Sequence, residues 1–198
     1  YNLELLRAID GGWPFRPTTE KQETLGKAGT TNLGTCARNA LTILKFARVT
    51  GDDRALRSGL RALKFMASFS IPRGSQAWEC PIDEPDLLAA AYAVGAYLEA
   101  FEITSEAAYR ERAEYWAKTG LPFLYFWNLP GRPGMRFGSV PVFGTTFHTH
   151  SWFGVPVQWN GLVYAYYVQR LAEFSDYPWL TIAEVALGAA DLPLDDVP

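Results

Sequence analysis

Carboxylates gather in one stretch of this chain, Gln76-Ala77-Trp78-Glu79-Cys80-Pro81-Ile82-Asp83-Glu84-Pro85-Asp86. Two carboxyl groups can cleave a glycosidic bond, one protonating the leaving oxygen while the other activates water or attacks carbon. Glu79 stands between Trp78 and Cys80. If the segment packs down, these neighbours desolvate its carboxyl and raise its pKa toward that of a general acid. Asp83 is the second candidate, and it has a competing structural role. Asp83-Glu84-Pro85-Asp86 reads as the start of a helix, with Asp83 at the N-cap and acids in the first turn. Glu79 lies outside any cap position.

Other polar and aromatic residues could complete such a site. Both histidines fall in Phe147-His148-Thr149-His150-Ser151. In an extended segment, residues two apart point to one side. A metal would need a third ligand that no fixed spacing supplies, so no metal and no cofactor is assigned. His148 is read as a base and His150 as a substrate contact, with loop structure the competing role for both. Five of the seven tryptophans, Trp13, Trp78, Trp127, Trp152 and Trp159, lie in three long segments. A Trp ring can stack on a sugar ring or pack a loop against a core. Arg38 and Asn39 sit near the start of a largely apolar helix and need partners inside the fold. Gln158 and Asn160 flank Trp159 at another helix start, and Asn128 follows Trp127.

The elements that must position these residues repeat. Three segments read as helix, short turn, helix: about 36–69, 86–125 and 161–190. Gly51 suits the left-handed end of a helix, Asp52, Ser105 and Asp176 suit N-caps, and Pro178 suits a first helical turn. Within each pair the first helix is the more apolar. The run from Leu87 to Leu98 is apolar nearly all round, which places it among other elements. Its partner carries Arg110, Glu111, Arg112, Glu114 and Lys118 on one face. First helices therefore form an inner layer and second helices an outer one. The three long connections, 10–35, 70–85 and 126–160, all enter inner helices at their N-terminal ends. Such long loops are usually functional or disordered; their aromatic content argues against disorder, and parallel inner helices would gather them on one rim.

Composition narrows the field. Hydrophobic residues make up 48% of the 198 residues and charged residues 20%, which is globular rather than disordered. A net charge of −3 offers no footprint for nucleic acid or an anionic membrane. The longest apolar run is too short for a membrane span. The stripe Arg54, Arg57, Arg61, Lys64 reads as a solvated outer face. Two cysteines, Cys36 and Cys80, make no disulfide framework; they are expected close together as free thiols. Tyr1-Asn2-Leu3-Glu4 does not read as a signal peptide.

The hairpin rhythm resembles the six-hairpin glycosidase superfamily, the (α/α)6 toroids of glycoside hydrolases and some polysaccharide lyases. Leu88-Ala89-Ala90-Ala91-Tyr92 through Glu102-Ile103-Thr104, Ala113-Glu114-Tyr115-Trp116-Ala117, and Trp78-Glu79 ahead of an inner helix carry the resemblance. It implies an all-α toroid; the three hairpins read here are half of the superfamily's six, so 1–198 is a partial toroid, one domain or a fragment of one. It also implies sugar chemistry at the inner-helix mouths, with fold alone no proof of activity. The expected function is glycoside hydrolysis of a poly- or oligosaccharide. The alternatives are a lyase of uronate glycans with a His or Tyr base, and a non-catalytic module that binds glycan or protein. The expected partners are a carbohydrate substrate and the rest of a longer chain or a subunit completing the toroid, in a secreted or periplasmic setting.

Overall fold

The computed structural model describes residues 7, 11–124, 139, 142 and 158–188. It is all-α, with no strand among the described residues and only isolated bridges between loop residues. A short helix α1 (Glu20–Glu23) precedes three hairpins. These are α2 (Leu33–Thr50) with α3 (Asp53–Met66), α4 (Leu87–Thr104) with α5 (Ala107–Gly120), and α6 (Gln158–Leu171) with α7 (Trp179–Leu187). Each first helix packs on its own partner, and α4 also packs on α2 and on α6.

The core explains this order. In α4 every residue from Leu87 to Ala100 is buried except Tyr92. A helix apolar on all sides must be enclosed, and three helices enclose this one. Its eighteen residues are long and apolar enough to cross a membrane by composition, longer than the apolar run alone suggested, yet they serve here as a core helix. Gly95 interrupts the run because Tyr167 of α6 lies where its Cβ would be. The outer helices bury one stripe each: Gly59, Ala62, Leu63 and Met66 on α3, and Ala113, Trp116, Ala117 and Gly120 on α5.

Helix ends follow local chemistry, with three departures from the sequence expectation. Gly51 ends α2 in the left-handed region and Asp52 caps α3 by accepting from Arg54 and Ala55 N–H. Their two backbone N–H groups hold the Asp52 carboxyl below the usual range. The cap of α4 is Asp86, not Asp83: its Oδ1 accepts from Ala89 N at 2.6 Å. Ser105 is not an N-cap. It ends α4 in the left-handed region, donating its N–H to Phe101 O, and Glu106 occupies the start of α5. Pro178, rather than Asp176, occupies the N-cap of α7. Helix α5 stops at Gly120, before a 3-10 turn over Leu121–Phe123, because Pro122 lacks the N–H a continuing helix needs.

The loops that enter the inner helices hold one another. Ile82 N–H donates to Leu25 O at 2.9 Å, and Asn32 Nδ2 donates to Ile82 O at 2.5 Å. Gly34, in the first turn of α2, donates to Arg73 O at 2.7 Å. A side chain at Gly34 would run into the backbone of Gly74 and Ser75. Phe15, Leu25 and Ile82 form a small core of their own beneath these loops.

Candidate functional site at the inner-helix mouths

The rim is built around a tight turn. Gln76 is buried, and its carbonyl accepts both Glu79 N–H at 3.1 Å and Cys80 N–H at 2.9 Å. That turn buries Cys80 and leaves Trp78 and Glu79 on the outer side, Trp78 at 40% exposure and Glu79 half-buried. Trp159, in the first turn of α6, is 43% exposed. The two rings stand 5.8 Å apart at 36°, so residues 81 positions apart in the chain form one tilted aromatic surface. Arg38, exposed on α2, carries its guanidinium 6.0 Å from the ring of Tyr92 on α4.

The remaining candidates divide. Trp13 is a core residue: it is 3% exposed, Arg7 lies 4.1 Å over its ring, and its backbone N–H donates to Cys36 Sγ. Arg38 was expected to need a partner inside the fold, but it stands on the exposed face of α2. Asn39 donates to Thr35 O within its own helix. Asp83 is exposed, with Asn32 Nδ2 at 3.5 Å from its Oδ1, so its carboxylate remains open to solvent. Gln158 begins α6. Asn160 is fully buried, and neither its amide nitrogen nor its oxygen finds a partner among the described residues. Trp127, Asn128, His148, His150 and Trp152 lie outside the described residues.

Asp86 is the acid that position in the sequence undersold. It is 1% exposed, and besides capping α4 its Oδ2 accepts Ser75 N–H at 2.9 Å. Burial pushes its carboxyl up to about 7, against the pull of the backbone N–H groups of Ser75 and Ala89. It ties the loop to the helix and does not face solvent. Burial, helped by the charges of Glu79, Glu84 and Asp86, pushes the Cys80 thiol up to about 12. Cys36 and Cys80 are both buried free thiols.

A second polar centre, unread in the sequence, lies at the other end of the same helices. Glu99 is completely buried in α4. Its two oxygens accept from Arg48 Nε of α2 at 2.5 Å and Arg170 Nη1 of α6 at 2.9 Å. Arg170 Nη2 also donates to Glu102, and Arg48 Nη1 lies 3.6 Å from Glu102. Burial alone would lower the Arg170 pKa; the hydrogen bonds it donates to Glu99 and Glu102 overcome that and raise it. Glu99 and Glu102, the two acids of an otherwise apolar helix, were the available signal, because a buried charge requires partners.

Among the described residues no group of three His, Cys, Asp or Glu is placed to hold a metal ion. Comparison with protein-family models, with curated proteins and with solved structures finds no match to this chain.

Proposed function

We propose that this chain is part of an α/α toroid of the six-hairpin type and that it acts as a glycoside hydrolase on a poly- or oligosaccharide. The observation that carries the reading is the exposed Trp78–Trp159 pair beside Glu79 at the mouths of the inner helices. Burying large apolar rings is favourable, so two partly exposed indoles held against each other on a rim suit a flat, partly apolar ligand face. The faces of a sugar ring have that character. Glu79 would protonate the departing glycosidic oxygen, and a second carboxyl group, that of Asp83, would activate water or attack the anomeric carbon. The toroid accounts for a further feature. Helices α2 and α6 each lack a second inner neighbour among the described elements, and each exposes apolar residues, Phe46 and Val49 on α2, Leu162 and Tyr166 on α6. The rest of a longer chain or a partner subunit would cover them.

The test is Glu79→Gln in the complete enzyme, assayed on a panel of oligosaccharides. Turnover is expected to fall roughly two to four orders of magnitude, while sugar affinity and melting temperature hold. Unchanged turnover removes Glu79 from catalysis. Binding without turnover in the parent protein would make the chain a glycan-binding module, and an unsaturated uronate product would make it a lyase.

A further inference from the structure

The loop that carries Trp78 and Glu79 is closed at a neck, and one side chain closes it. Ser75 N–H donates to Asp86 Oδ2 at 2.9 Å, and Asp86 N–H donates to Pro72 O at 2.9 Å. Arg73 and Pro85 pair alongside through their backbones. Gly34 of α2 lies against the neck: its N–H donates to Arg73 O, and a Cβ there would stand 2.2 Å from Ser75 N. The far side of the loop has its own anchors, since Ile82 N–H donates to Leu25 O and Ile82 O accepts from Asn32 Nδ2. The stretch that holds Trp78, Glu79 and Cys80 therefore hangs between Ile82 at one end and the Asp86 tie at the other.

The two oxygens of Asp86 divide the work. Oδ1 caps α4 through Ala89 N–H, and Oδ2 holds Ser75. Every hydrogen bond to this buried carboxyl among the described residues comes from a backbone N–H, and no side-chain cation reaches it. The titratable groups in its field are Cys80 on the loop and Tyr92 on α4, and Glu84 shares the field of Cys80. From α2 the neck meets Asn32 and Gly34, and Val142 bridges to Asp86 from the other side; none of these titrates. A carboxylate in so dry a place is unfavourable, so ionisation favours any state in which water reaches it. Opening the neck admits water and leaves α4 intact.

We propose that Asp86 is a positioning residue of the rim and acts as a pH-sensitive latch: neutral, it keeps the neck shut and Trp78 and Glu79 in place; ionised, it releases the neck. What the latch does to turnover rests on the glycoside hydrolase reading, and the latch itself does not.

The test uses the full chain, its two thiols and no sugar. Cys80 is buried inside the loop and Cys36 is buried in α2, so N-ethylmaleimide reaches each only through an opening. Labelling of both is followed by peptide mass from pH 5 to pH 8, each rate divided by that of the urea-unfolded chain at the same pH. The Cys80 rate relative to that of Cys36 should rise at least about tenfold across this range, because a proton released on opening changes the opening equilibrium up to about tenfold per pH unit. In Asp86→Asn, which cannot ionise, the ratio should stay flat. The Asn oxygen can still cap α4, but its amide nitrogen faces the Ser75 N–H, donor against donor, so the ratio at pH 5 should lie severalfold above the parent's. Gly34→Ala guards against a misfolded Asp86 variant. Its methyl displaces Ser75 without touching the acid or the cap, and it too should raise the ratio severalfold at pH 5. A parent ratio constant with pH, a pH dependence that survives Asp86→Asn, Cys36 and Cys80 rising together, or a Gly34→Ala ratio equal to the parent's would each overturn the latch. Unchanged turnover in Glu79→Gln would sink the hydrolase reading and leave these ratios as they are.

Discussion

At their C-terminal ends α2, α4 and α6 meet through charges, Arg48, Glu99 and Arg170, packed so that Glu99 is wholly buried. At their N-terminal ends they meet loops that leave aromatic rings, Trp78 and Trp159, partly open to solvent. The contrast separates holding from acting. A charge locked between two others in a dry interior has little freedom to exchange protons with a ligand, and removing one member strands the rest. A rim with exposed rings and half-exposed carboxylates can bind without first breaking the fold. The helices run parallel, so one set of elements supplies both ends, and the clasp fixes the spacing on which the rim depends.

The sharpest way to break this comparison is to remove the centre of the clasp. Glu99→Ala leaves Arg170 with Glu102 alone, while Arg48, the more exposed of the two arginines, can turn toward water. Breaking a buried ion pair from one side typically costs 3–5 kcal/mol, and solvent at Arg48 favours the lower figure, about 3 kcal/mol. Urea denaturation of the variant should show that loss. A change under about 0.5 kcal/mol would mean that the charges decorate the helix ends and do not hold them.

Asp86 sharpens the comparison through pH. Its carboxyl sits at about 7 in the fold against 3.8 in an unfolded chain. Between those values the folded protein keeps a proton that the unfolded chain releases. The associated stability is therefore fully present below about pH 4 and is lost as the pH rises through 7. The slope can reach about 1.4 kcal/mol per pH unit. Denaturation midpoints measured across this window should fall with rising pH in the parent protein. They should fall less steeply in Asp86→Asn, which lacks the titrating group. Parallel slopes would assign the pH dependence elsewhere.

Much of the fold was legible because its signals are local. Gly51-Asp52 announced one helix end and one start, and the unbroken apolar run of α4 announced an enclosed helix. The errors arose where two residues competed for one role. Asp83 and Asp86 both suit an N-cap by type, and only the packing of Ser75 against α4 selects Asp86. Ser105 lost its cap role because the turn needed a left-handed residue there. Trp13 and Trp78 look alike in sequence, yet one is core and the other rim, since the difference depends on Cys36 and Arg7 in one case and on α6 in the other. The clasp was hidden for the same reason: its partners lie 51 and 71 residues from Glu99.

The smallest effect concerns the two rings themselves and decides whether the rim resembles the clasp after all. An aromatic pair contributes about 0.5–1.5 kcal/mol beyond simple burial, and at about two-fifths exposure both Trp78 and Trp159 retain surface for a ligand. A double-mutant cycle of Trp78→Ala, Trp159→Ala and the double variant, read by denaturation, should give a coupling of about 1 kcal/mol or less. Read by oligosaccharide affinity, the proposal that a sugar stacks on the pair as one surface predicts a severalfold loss in each single variant and little further loss in the double variant. If instead both readouts show independent losses, the rings bind as separate platforms. If stability falls as far as it does in Glu99→Ala while affinity holds, the tryptophans are structural. The rim would then be a second clasp made of rings instead of charges, and the proposed role of Glu79 would lose its support.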